Sequence, residues 1–169
     1  GGRLRTCRNQ NKRECKAEAR NVRIKTMTSV NTKCETLVLT GSVPARVYGL
    51  TVYGCQPAKL EQWRRSDSKV LGIATSACKT TAFALRGESA DPGIKYPVMQ
   101  VRAWNELWNS LSEWDQRRAK LAWRVHLDQA HSGGWRTAAG PAAATIMTLA
   151  GIGWEPTAPM VYKDHKGDT

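Results

Sequence analysis

Most apolar positions in this chain recur at helical rather than alternating spacing. Over residues 11–30, Cys15, Ala19, Val22 and Met27 fall near one helical face with basic residues around them, which predicts an amphipathic basic helix. Residues 33–55 begin as a helix through Leu39 and then pass Gly41 and Pro44, implying either a break or a kinked helix. The run Val47 to Tyr53 also carries strand propensity, so a short extended segment near residues 47–53 is expected there. Pro57 suits the first position of the next helix, in which Leu60, Trp63, Val70 and Leu71 share a face, Arg64, Arg65 and Lys69 lie largely off it, and Gly72 is the stop. A small helix is predicted over Ser76 to Leu85, followed by a loop from Glu88 to Pro97 with the turn Asp91-Pro92-Gly93.

The second half has the clearest stripe. Pro97 is expected to open a helix in which Val98, Val101, Trp104, Leu107, Trp108 and Leu111 recur every three to four residues. Ser112 with Asp115 three positions on reads as a cap for the next helix, whose Trp114, Leu121, Ala122 and Val125 run toward Gly133-Gly134. A last helix is predicted from Pro141 to near Gly151, with an irregular Pro-rich tail from Trp154. The fold class expected is mainly α: an irregular bundle of about six helices, divided into a basic region, 1–90, and a Trp-rich region with an irregular tail, 91–169. Thr137 to Trp154 carries no charge, but Pro141, several Gly and Thr and an Ala-dominated composition point to a buried helix rather than a membrane span.

Composition adds a partner class. The 169 residues carry 26 Lys+Arg against 14 Asp+Glu, a formal net charge of +12. Ten basic and three acidic side chains lie in residues 1–36, seven and three in 37–90, and nine and eight in 91–169. The positive field is therefore N-terminal, and such a segment attracts phosphate backbones or anionic surfaces. Six of the seven Trp lie in the nearly neutral region. Gly1 in place of Met and the lack of a leader predict a piece of a longer intracellular chain, with nucleus or cytoplasm open. Cys7, Cys15, Cys34, Cys55 and Cys78 are too widely spaced for a zinc ribbon and read as reduced thiols, several of them buried.

Catalytic patterns are scarce. No two Asp are adjacent, so the usual mark of a two-metal polymerase palm is missing. His126 and His131 stand five apart, not the three or four that place two imidazoles side by side, so Asp128 between them does not make a metal site; His165 lies in the tail. Neither a P-loop nor a nucleophile elbow is present. Trp63, Trp104, Trp108, Trp114, Trp123, Trp135 and Trp154 offer stacking surfaces for bases only where they are exposed; Trp104 and Trp108 lie on the core stripe, whereas Trp123 and Trp135 are less tied to it.

One stretch carries a family likeness. Leu37-Val38-Leu39-Thr40-Gly41, then Val43-Pro44-Ala45-Arg46-Val47-Tyr48-Gly49-Leu50-Thr51-Val52-Tyr53-Gly54, then Leu60 with Arg64-Arg65 and Val70-Leu71-Gly72, resembles the segment just after the palm in reverse transcriptases of non-LTR retrotransposons. There an apolar helix leads into a Tyr-Gly-x-x-x-x-Gly signature, followed by a helix with paired basic residues that ends in Leu-Gly. The match covers roughly a quarter of the chain. It implies thumb and post-thumb helices that grip the primer-template duplex, RNA or DNA, beside an upstream palm of the same polyprotein that carries the catalytic carboxylates and their divalent metal. No catalytic residue, metal ligand or cofactor is implied for this chain, and no membrane. Lys12, Arg13, Lys16, Arg20, Arg23, Arg64 and Arg65 are the expected phosphate contacts. Two other readings share the pattern: a stand-alone helical nucleic-acid-binding protein using the same basic face, and a helical protein-interaction module whose Trp stripe is the interface.

Overall fold

The computed structural model describes residues 8–73, 79–85, 90–164 and 166–167. The described residues are mainly helical: α1 (Arg8–Thr28), α2 (Val43–Val47), α3 (Leu50–Tyr53), α4 (Pro57–Val70), α5 (Lys79–Leu85), α6 (Pro92–Ser110), α7 (Glu113–Gly133) and α8 (Gly140–Gly151), with one antiparallel ribbon of β1 (Glu155–Ala158) and β2 (Val161–Lys163). This is an irregular helical bundle with more helices than the six expected. The chain divides into two compact units, one of residues 1–49 and 58–95, the other of 50–57 and 96–169.

In the first unit, Ile24, Val38, Val43, Val70, Leu71, Ile73, Phe83 and Ala90 form the core. The buried face of α1 is not the one its apolar residues suggest. Glu14, Ala17, Asn21 and Ile24, spaced three, four and three apart, turn inward, while Cys15, Ala19, Val22 and Met27 face out, Val22 with 68% of its surface exposed. The stretch past Gly41 is a kinked helix. A wide π-type turn over Val38–Ser42 runs directly into α2, and Pro44, which has no N–H to give to the turn behind it, stands at the junction.

No extended segment forms at 47–53. Tyr48 leaves the helix with ψ 116, Gly49 adopts φ +83, α3 makes a single turn, and Gly54 closes it at φ +69. The two glycines of the Tyr-Gly-x-x-x-x-Gly pattern thus occupy backbone conformations that side chains rarely adopt. Gly72, at φ +63, ends α4 as expected, with the Ile73 N–H reaching back to the Ser68 carbonyl. The short helix predicted from Ser76 is seen from Lys79; its first residues, and Cys78, lie outside the described residues.

α6 begins at Pro92, five residues before the predicted start. The Asp91 carboxylate accepts the Gly93 N–H (2.8 Å) and its carbonyl accepts the Lys95 N–H (2.9 Å), so Asp91-Pro92-Gly93 is a helix start rather than a loop turn. Pro97 then sits inside the helix.

In the second unit, Trp104, Trp123, Ile146 and Leu149 make the core, with Val101, Trp108, Leu127 and Tyr162 packed against it. The Trp104 ring lies 5.1 Å from Trp123 and 6.1 Å from Trp108, both tilted. Ser112 caps α7 as expected: its Oγ accepts the Asp115 N–H (3.2 Å), and its hydroxyl donates to Asp115 Oδ2 (2.7 Å). However, α7 buries Trp123 and half-buries Gln116, Ala119, Leu127 and Ala130. Trp114, Leu121 and Val125, expected inside, are 66%, 62% and 53% exposed on the opposite ridge. α8 spans its predicted range with Ala143, Ala144, Ile146 and Leu149 buried. Among the described residues no helix is long and apolar enough to cross a membrane.

The tail is ordered as a ribbon, not irregular. Pro156 and Pro159 cannot donate, yet their carbonyls accept the indole N–H groups of Trp123 (3.3 Å) and Trp104 (2.6 Å), and the Tyr162 hydroxyl also donates to the Pro159 carbonyl (2.9 Å). Buried indoles need acceptors, and the proline-rich ribbon supplies them.

Candidate nucleic-acid interface

The cations of α1 are sorted by helix geometry. Lys12, Lys16, Arg20 and Arg23 step by four, four and three residues and form one stripe on the side away from the buried Glu14–Asn21 face. Lys12, Lys16, Arg20 and Arg23 are exposed and Arg13 is half-buried. Both acids of α1 point the other way. Glu14 pairs with Lys59, and Glu18 accepts from Arg46 Nη2 (3.0 Å) and the Ser66 hydroxyl (2.6 Å). Among the described residues, no ion pair involves Lys12, Lys16, Arg20, Arg23 or Lys25. Two α1 arginines also brace the chain beside them: Arg20 donates to the Gly41 carbonyl (3.1 Å) and Arg13 to that of Tyr48 (3.3 Å).

The paired arginines of α4 have different surroundings. Arg64 makes a two-pronged contact with Asp91, Nε to Oδ1 and Nη2 to Oδ2, each 2.6 Å, and the Asp91 side chain has no exposed surface. The hydrogen bond to Asp91 raises the Arg64 pKa above its ordinary value. This guanidinium is engaged in holding α4 to the start of α6. Arg65, by contrast, is 66% exposed and pairs with Glu61 at 3.2 Å one turn back. It lies with Lys25 and Lys69 along a groove of about 550 Å³ between α1 and α4, away from the α1 stripe. Of the seven expected contacts, the structure gathers Lys12, Lys16, Arg20 and Arg23 on one stripe with Arg13 at its edge, and it leaves Arg64 and Arg65 on other surfaces.

Sequence reasoning missed the buried charge beneath α1. Arg46, with no exposed side-chain surface, donates to Asp67 Oδ1 (2.6 Å) as well as to Glu18, and the Asn21 amide donates to Asp67 Oδ1 (2.8 Å) and the Ser66 hydroxyl (3.0 Å). Burial pushes the Asp67 carboxyl above its usual pKa, outweighing the pull of Arg46 and Asn21. Asn21 Oδ1, Arg46 Nε and Asp67 Oδ2 have no hydrogen-bond partner. A signal was present: Arg46 stands alone in the apolar run Val43 to Leu50, where a solvated arginine has no polar neighbours to share a face with.

The tryptophans divide as well. Trp63, Trp104 and Trp123 are buried, Trp108 and Trp135 are half-buried, and Trp114 and Trp154 are exposed. His126 and His131 lie on α7, His165 is outside the described residues, and among the described residues no three His, Cys, Asp or Glu side chains are grouped to hold a metal. Cys15 is exposed rather than buried, and Cys34 and Cys55 are half-buried; Cys7 lies outside the described residues. Compared with protein-family models, curated proteins and solved structures, the chain matches none.

Proposed function

We propose that the chain is a helical nucleic-acid-binding segment that grips a phosphate backbone along the outer face of α1, working as the thumb and post-thumb part of a retroelement RNA-directed DNA polymerase whose palm carries the chemistry. One observation carries the first half of this reading: both acids of α1 turn inward to Lys59 and Arg46, so the outer stripe is left with cations alone. Among the described residues the stripe has no ion-pair partner of its own, and it suits a polyanion of regular spacing. The retroelement assignment rests on the Tyr48-Gly49, Gly54 and Arg64-Arg65 resemblance.

Binding of a primer-template duplex, measured against salt, tests the backbone grip. Each neutralised phosphate contributes about 0.9 to the slope of log affinity against log salt for a DNA duplex, so replacing Lys12, Lys16 and Arg23 by Ala should flatten that slope by about 2.7, alike for all sequences. An unchanged slope, or no binding at low salt, refutes the reading. A palm with its Asp-Asp pair encoded in frame ahead of Gly1 is expected; a stop codon followed by an in-frame Met there would leave a stand-alone binding protein.

The protein-interaction reading is favoured by a different surface from the Trp stripe, since Trp104 and Trp123 are core. The exposed ridge Trp114, Leu121 and Val125 on α7 is the apolar surface that a protein partner would cover. Leu121→Glu tests where the duplex lies: binding should be unchanged if the grip is on α1 as assigned, and a loss would mean that the α7 ridge itself meets nucleic acid.

A further inference from the structure

We propose that Tyr48 is a stacking platform for one unpaired nucleobase of the strand whose phosphates lie along α1. This rests on the backbone-gripping reading above and adds a feature of the ligand: an unpaired base beside the duplex.

Tyr48 stands at the break between α2 and α3, where its own ψ of 116 and the φ of +83 at Gly49 turn the chain out of helix. The residue is 68% exposed, an unusual state for an aromatic in a packed unit. It is also held in place. The Arg13 Cζ lies 4.2 Å from the ring centroid, and Nη1 of the same guanidinium donates to the Tyr48 carbonyl at 3.3 Å. One cation thus fixes both the ring and the backbone, which removes ordering cost from a later binding step. With Arg13 on one face, an exposure of 68% requires the opposite face to be open to solvent.

The neighbourhood selects the occupant. Arg13 is flanked on α1 by Lys12 and Lys16, and side chains three apart on a helix lie about 5–6 Å from each other at Cβ. An apolar protein side chain laid on Tyr48 would bring nothing for these ammonium groups. A nucleotide carries a flat π surface and a phosphate side by side, so one ligand satisfies the ring and the cations together. Base-on-aromatic stacking tolerates any base, in keeping with a grip that reads no sequence.

The test compares a blunt duplex with the same duplex carrying a three-nucleotide single-stranded overhang, both fluorescently labelled and titrated with the full chain. Tyr48→Ala should weaken binding of the overhang substrate about tenfold, equivalent to ~1.4 kcal/mol, and leave the blunt duplex and both salt slopes unchanged, because no charge is removed. Tyr48→Phe should retain full affinity, and Tyr48→Leu, which keeps an apolar side chain but no π face, should behave like Ala. An abasic site at the stacked position of the overhang should cost the same factor in the native chain and nothing further in Tyr48→Ala. If Tyr48→Ala binds the overhang as tightly as the native chain, or loses equally on the blunt duplex, while the α1 lysine variants still flatten the salt slope, the platform is wrong and the backbone grip stands. If neither oligonucleotide binds at low salt, both fall.

Discussion

Arg64 and Arg65 are adjacent, chemically identical and part of one sequence signature, yet the structure predicts opposite consequences for their removal. Arg64→Ala deletes two charge-assisted bonds of 2.6 Å and leaves the Asp91 carboxylate, which has no exposed side-chain surface, with the Gly93 N–H as its remaining side-chain partner. Removing one partner of a buried ion pair costs ~3–5 kcal/mol; the Arg64 side chain is 21% exposed and Asp91 can take up a proton, so the lower end, ~3 kcal/mol, applies. Arg65→Ala deletes an exposed i,i+4 contact with Glu61, worth about 0.3–0.5 kcal/mol. Native-state hydrogen exchange of the α4 amides reads the first unit by itself, and the difference should appear as roughly a hundredfold faster exchange in Arg64→Ala than in Arg65→Ala. Gly93→Ala offers an independent check. Its added Cβ would stand 2.5 Å from Arg64 Cζ, so the guanidinium must shift; the variant should speed α4 exchange in the same direction as Arg64→Ala but by less, because Arg64 can move and stay beside Asp91. If Arg64→Ala and Arg65→Ala fall within about 1 kcal/mol of each other, the structural role assigned to the Arg64–Asp91 pair is refuted.

Three further outcomes follow from the packing. Gly54→Ala should lower stability by at least ~1–2 kcal/mol in thermal unfolding, because φ is +69 and the new Cβ would lie 2.6 Å from the Trp135 ring; an unchanged melting temperature would contradict the close approach. Trp104→Phe, which removes the indole bond to the Pro159 carbonyl and shrinks a core ring, should cost ~1–3 kcal/mol in urea unfolding, whereas Trp114→Phe on the exposed ridge should stay within about 0.5; equal effects would refute the assigned burial. Folding raises the Asp67 pKa above 3.8, so the folded chain holds that proton more tightly than the unfolded one. Its contribution to stability is largest below 3.8 and is lost as pH rises through the interval above it, up to the raised folded value. Carbon-13 NMR of the Asp67 carboxyl should give a midpoint above 3.8, and one at or below that value would overturn the assignment.

The punctuation of the fold was legible because single residues impose it. Gly72 ends α4, Ser112 with Asp115 starts α7, and Pro141 stands in the first turn of α8, each through a backbone requirement that no tertiary contact need supply. The faces were less legible. α7 has two apolar stripes, and spacing alone ranks Trp114, Leu121 and Val125 no lower than Leu127 and Trp123; the packing of α8 decides between them. On α1 the inward face holds Glu14 and Asn21, which a hydrophobicity pattern assigns to solvent. The Pro-rich tail looked unstructured because prolines remove donors, while its use here is as a source of acceptors for Trp104 and Trp123.

This difference between pattern and partner changes how the charge is read. A count over residues 1–90 treats Arg46, Lys59 and Arg64 as part of one positive field. Their acids, Glu18 and Asp67, Glu14, and Asp91, lie 21–45 positions away in sequence, so no local window pairs them, and yet in the folded unit each cation is matched. Pairing within the fold cancels these charges at short range, and any field that reaches a polyanion beyond about a Debye length comes from what is left over. On α1 the remainder is concentrated rather than diluted, because the same inward turn of Glu14 and Glu18 that neutralises Lys59 and Arg46 strips the outer face of acids. The buried ion pairs and the exposed stripe are thus two consequences of one choice of helix face. Rotating α1 to bury Cys15, Ala19 and Val22 would carry Glu14 toward solvent, away from Lys59, and draw Lys12 and Arg23 toward the core. The stripe would then flank the core instead of standing clear of it, with less left to hold a phosphate backbone.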